Sequence, residues 1–232
     1  MKQVYLALIA IAAALAITPA AFADSTTFSG AGLAGLGYSG SPTSDARYVA
    51  GPPAYAYLST SDSGLNGDSP AVFAPVPGWT LNSVAASYDL LRSSGGNGNQ
   101  PYLSLWLDDG NPSDNWIEII GMGGPTIDGS SAIHVLDWNG IAGNYWGDSL
   151  SSIYNDVYTP AGITFGDMQV DYVGVEIGEW DNGEATIPAS AAIDSITVSQ
   201  TPEPSSLLLL GSGLLGLAFV AFRRARASGL SL

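Results

Sequence analysis

Between Tyr102 and Leu107 the chain alternates residue by residue. Leu103, Leu105 and Leu107 fall on one side, and Tyr102, Ser104 and Trp106 on the other. A period of two is what a strand with one buried face requires. Leu81 to Leu91, Trp116 to Ile120, Ile133 to Trp138, Val170 to Trp180 and Ala192 to Ser199 read as further strands. They are short apolar runs separated by Gly, Asn, Asp, Ser and Pro, the punctuation of an all-β chain. Ser149 to Val157 reads as one short helix, because Leu150, Ile153 and Val157 fall at i, i+3 and i+7. The expected fold is all-β: a two-layer antiparallel β-sandwich, jelly-roll-like, that buries one face of each strand.

This body is bounded by two apolar ends. At the N-terminus, residues 1–23 have the order of a signal peptide: Lys2, an apolar run from Val4 to Ile17, a break at Pro19, and Ala21-Phe22-Ala23 as the cleavage site before Asp24. At the other end Pro202-Glu203-Pro204 precedes an apolar run, residues 207–222, and then Arg223, Arg224 and Arg226. As a helix those 16 residues span about 24 Å, somewhat short of a ~30 Å hydrocarbon core. Snorkelling arginines make up part of the difference. The arginines act as the stop-transfer signal and stay on the cytoplasmic side, so the body lies outside. Between the ends, residues 24–78 read as a looser part, with joints at Gly51-Pro52-Pro53 and Pro75-Val76-Pro77-Gly78. Tyr55 to Leu58 and Ala71 to Phe73 are expected there as edge strands. Residues 79–200 are expected to form the sandwich core.

The tail, residues 201–227, resembles the PEP-CTERM sorting signal of Gram-negative bacteria. Pro202, Glu203 and Pro204, the Leu/Gly-rich helix and the terminal Arg cluster carry the resemblance. It implies cleavage near Pro-Glu-Pro by an exosortase-type membrane transpeptidase, after a transient stay in the inner membrane. It also implies a link to extracellular polysaccharide. The body resembles exported β-sandwich proteins with such tails, through the run from Pro101 to Asn111 and the closing strand Ile193-Asp194-Ser195-Ile196-Thr197-Val198.

Charge and residue usage exclude several functions. Of the 21 acidic residues all but Glu203 lie in the body, and of the six basic ones only Arg47 and Arg92 do. Such a surface repels nucleic acid and anionic lipid. There is no cysteine, so thiol catalysis and Cys-ligated metals are excluded. His134 is the one histidine. A Ser-His-Asp triad would have to use it, and a zinc site with several His ligands is excluded.

Three groups of side chains have the chemistry for a site. Asp108, Asp109 and Asp114 crowd hard oxygen atoms into a Gly-containing turn at a strand end, which suits Ca²⁺. The same residues also suit an acidic hairpin loop held by Asx-turns. Asp194 is expected to face inward with Ile196 and Val198, and to need a hydrogen-bonding partner there. In Glu176-Ile177-Gly178-Glu179-Trp180-Asp181 the paired acids bring glycoside hydrolysis to mind. Glu176 and Glu179 lie three apart, though, and point to opposite faces. Tyr172, Gly174, Glu176, Gly178 and Trp180 instead share one side of a strand, opposite Val173, Val175 and Ile177. Tyr172, Glu176 and Trp180 there are candidate glycan contacts. The other tryptophans, Trp106, Trp116, Trp138 and Trp146, read as core or rim. The chain is thus expected to be an exported, non-catalytic surface or matrix protein. The alternative is a carbohydrate-binding module that holds exopolysaccharide through its aromatic strand face.

Overall fold

The structure, a computed structural model, describes residues 24–40, 44–60, 69–94, 100–108, 117–137, 145–158, 161–178 and 189–201, with Gly213, residues 216–218, Val220 and Arg223 of the tail. Its strands in chain order are β1 (Ser25–Ser29), β2 (Gly37–Ser39), β3 (Ser44–Val49), β4 (Tyr55–Thr60), β5 (Ala71–Thr80), β6 (Val84–Ser94), β7 (Tyr102–Asp108) and β8 (Ile117–Gly121). They continue with β9 (Thr126–Ile127), β10 (Ala132–Asp137), β11 (Trp146–Ser149), β12 (Val157–Tyr158), β13 (Ile163–Thr164), β14 (Gln169–Glu176) and β15 (Ala189–Gln200).

One antiparallel sheet runs β3-β4-β15-β6-β9, with β1 also paired to β15. A second runs β11-β10-β8-β7-β14-β5-β2. Each strand of the second sheet turns one side to the core. Leu103, Leu105 and Leu107 of β7 and Val173 and Val175 of β14 have no exposed surface, and neither does Ile177 just after it. From the first sheet Leu58, Ile193, Ile196 and Val198 join the same apolar cluster. Each such side chain contributes about 1.5–3 kcal/mol by leaving water.

Residues Ser25–Gln200 fall into one compact unit, and the part expected to be loose is woven into it. Tyr55–Thr60 lies between β3 and β15, and Ala71–Thr80 between β14 and β2, so neither is an edge strand. Leu58, Val72 and Ala74 are fully buried; apolar alternation outweighed the flanking Gly and Pro.

Two further expectations are corrected. Ser149 to Val157 is not an α-helix. Trp146–Ser149 is a strand, Leu150–Ile153 a 3₁₀ turn, and Val157 belongs to β12 and is exposed. Leu150 and Ile153 are buried, as the 3₁₀ period of three permits. Asp194 does not continue the inward row of Ile196 and Val198. A bulge between Ile193 and Ser195 shifts the register against β6, and Ile193 takes the inward place.

The expected signal peptide, residues 1–23, lies outside the described residues. The expected membrane helix, 207–222, lies mostly outside them; its described positions, Gly213, 216–218 and Val220, are helical. Among the described residues no helix is long and apolar enough to cross a membrane.

Candidate functional site

The outer face of the seven-stranded sheet holds the least ordinary chemistry in the body. On β14, Tyr172, Gly174 and Glu176 turn away from the core that Val173 and Val175 enter. Register sets Glu176 opposite Tyr102, Gly174 opposite Ser104 and Tyr172 opposite Trp106 on β7. On the other side of β7, Trp106 faces Glu118 and Ser104 faces Ile120 on β8. Two glutamates thus approach each other across the middle of β7, over Ser104.

Both acids are closed off from water, each 4% exposed. The Ser104 hydroxyl donates to Glu176 Oε1. The Trp106 indole N–H reaches the same oxygen at 3.1 Å and Ser104 Oγ at 2.9 Å. The Tyr102 hydroxyl lies 3.5 Å from Glu176 Oε2 and 3.3 Å from Ser69 Oγ. Glu118 meets Glu176 within hydrogen-bonding reach. Its Oε1 is buried with no hydrogen-bond partner among the described residues.

This asymmetry assigns the proton. Burial pushes both carboxyls up, because a charge loses its hydration there. Donors from Ser104, Trp106, Glu118 and Tyr102 pull Glu176 back toward the charged form. Glu118, disfavoured further by the neighbouring charge of Glu176, is pushed up to about 9. At neutral pH Glu118 keeps its proton, and the two acids titrate as a pair. Glycoside hydrolysis uses carboxyls about 5–9 Å apart, with solvent or sugar between them; these two touch.

Glycine makes the room. A Cβ on Gly174 would come within 2.8 Å of Glu176 Oε1 and 3.3 Å of the Phe73 ring, and one on Gly178 within 2.6 Å of Ser69 Oγ. Beyond them Phe73 stands edge-on to Trp106 and Tyr172, at 5.7 and 6.2 Å between centroids.

Past Tyr102 the same face opens into a cavity of about 310 Å³, whose walls include Gln100, Tyr102, Ile120, Met122, His134 and Trp146. Trp146 is 50% exposed, its ring 4.5 Å from that of His134. Burial depresses the His134 pKa, so the imidazole is neutral at neutral pH.

The model of the PEP-CTERM protein-sorting motif matches residues 200–225. This chain carries a PEP-CTERM sorting motif. PEP-CTERM signals are processed by exosortase, a membrane enzyme, and imply export and C-terminal anchoring before processing. The match begins at Gln200, the last residue of β15, still paired with Val84. No curated protein matches the chain.

The other expected site residues fall unevenly. Pro202, Glu203, Pro204, Arg224, Arg226, Ala21, Ala23 and Trp180 lie outside the described residues, and so do Asp109 and Asp114 of the candidate Ca²⁺ turn. Arg223 is exposed and helical, and Asp108 is exposed at the end of β7. No group of three metal-ligating side chains occurs among the described residues. Of the candidate glycan contacts, Tyr172 is 41% exposed, whereas Glu176 turns its carboxylate to Ser104 and Trp106 rather than to solvent. Glu118 escaped the sequence reading. The signal for it is an acid inside an apolar run, Ile117-Glu118-Ile119-Ile120, where an unpartnered charge is costly.

Proposed function

We propose that this is an exported, non-catalytic protein of the cell surface or extracellular matrix, with a jelly-roll-like sandwich as its body. The signal at residues 1–23 exports it, and the segment at 207–222 holds it in the inner membrane. An exosortase then cuts near Glu203. The match at residues 200–225 carries this reading. The non-catalytic part is supported by the burial of Glu118 and Glu176 and by donors that already occupy Glu176. Mass spectrometry of the mature protein from its host is expected to find the residues after the Pro-Glu-Pro motif missing. Arg223 to Leu232 still attached would overturn the sorting reading, and release of reducing ends from a panel of glucans would overturn the non-catalytic one.

A second reading is favoured by aromatic side chains exposed on one sheet face, Tyr172 and Trp146. On it, the body is a carbohydrate-binding module that holds exopolysaccharide, with sugar rings stacked on those aromatics. A divalent cation at the Asp108 turn would be a local addition to either reading. Titration with Ca²⁺ that gives neither heat nor a melting shift removes it.

A further inference from the structure

We propose that the cavity between Tyr102, Met122, His134 and Trp146 is the glycan site, and that it takes an uncharged polysaccharide. This rests on the reading of the body as a carbohydrate-binding module, and it moves the contact away from Glu176.

The occupant follows from shape and charge. A ring half-exposed at the mouth of a cavity, as Trp146 is, offers a flat apolar face, the surface that the C–H side of a pyranose covers. At about 310 Å³ the space is at the small end of ligand cavities and suits one or two sugar rings of a longer chain. Polar groups for sugar hydroxyls stand at its wall: the Gln100 amide and the His134 imidazole. The Gln100 amide is oriented by Ser93 Oγ, which donates to its Oε1 at 3.2 Å. Among the described residues that line the cavity there is no carboxylate and no Lys or Arg.

Anions are refused by the rest of the body. Its two bases lie on the other sheet and are engaged there. Arg47 pairs with Asp45 and sits over Tyr57, and Arg92 reaches the Tyr55 hydroxyl. A uronate or a sulfated sugar would meet an acidic surface with no cation beside the cavity to receive it.

The buried acid pair gains a role from this geometry. Tyr102 forms one wall of the cavity, and its hydroxyl is tied from behind to Ser69 and Glu176. On the adjoining loop the Pro101 carbonyl accepts from the Tyr88 hydroxyl at 2.5 Å. The wall is therefore set before a ligand arrives, which reduces the ordering cost of binding.

The test uses the full chain in detergent, titrated calorimetrically with the neutral glycans laminarin, dextran and mannan and with the anionic alginate and hyaluronate. At least one neutral glycan is expected to bind and the anionic ones not to. Trp146→Ala is expected to weaken that binding at least tenfold with an unchanged melting temperature, since the ring is half in water. Val157→Ala, at an exposed residue outside the cavity lining, is expected to leave it intact. Equal binding of alginate, or a Trp146→Ala variant with parental affinity, overturns the cavity proposal while the carbohydrate-binding reading stands. Failure of every glycan to bind overturns both.

Discussion

The Glu118→Gln variant is expected to melt above the parent at pH 8 and together with it at pH 4. In the folded chain Glu118 keeps its proton up to about 9, against an ordinary 4.5. Between those values the folded state holds a proton that the unfolded state has released. The stability that Glu118 contributes is therefore greatest below 4.5 and falls as pH rises toward 9, by up to about 1.4 kcal/mol per pH unit for one full proton. Glutamine carries no ionisable proton, and its amide N–H₂ can donate to Glu176 as the carboxyl O–H does. At pH 8 the gain is on the order of a few kcal/mol. The surface acids do not blur the comparison, because their protons are gone by about pH 6. His134, with its depressed pKa, acts with the opposite sign and at lower pH. Thermal melts from pH 4 to 9.5 decide the matter: superimposable curves for the two proteins would mean that no proton is held at Glu118. Glu176→Ala is the complement. It leaves the Trp106 and Tyr102 donors without their carboxylate, at about 1–3 kcal/mol each, and destabilises at every pH.

What could be read beforehand was local and periodic. The two-residue alternation of Tyr102 to Leu107 placed three leucines inward, and Tyr172, Gly174, Glu176 and Gly178 share one side as their spacing demands. What could not be read was which strand lies beside which. Glu118 and Glu176 meet only because β14 pairs with β7 on the side away from β8, and the 58-residue separation in sequence carries no mark of that. Asp194 was misplaced because alternation has no memory of a bulge. Ser149 to Val157 was misread because Leu150 and Ile153 satisfy a spacing of three, which a 3₁₀ turn meets as well as an α-helix does. By spacing alone Glu176 reads as a surface group, since an outward side chain in a sheet normally reaches water. The neighbours that close over it, Trp106 and Tyr102, come from another strand.

Gly174→Ala is expected to destabilise the body by about 2–4 kcal/mol, against the trend that Ala suits a strand interior better than Gly. The new methyl would stand within 2.8 Å of Glu176 Oε1 and closer still to Ser104 Oγ. Ser104 is fully buried in a strand paired on both sides and has little room to retreat. The carboxylate must therefore swing away and give up the hydrogen bonds that Ser104 and Trp106 donate, each worth about 1–3 kcal/mol when a buried partner is left unsatisfied. Gly123→Ala serves as the control, since a Cβ there meets nothing within 4 Å, and it should melt with the parent. The cause can be separated from a plain backbone effect by a double-mutant cycle in denaturant. If the methyl acts through the carboxylate, Gly174→Ala costs less in a Glu176→Ala background, with an interaction energy of about 0.5–3 kcal/mol. Strict additivity of the two changes would mean that Gly174 is needed for a reason other than the room it leaves for Glu176.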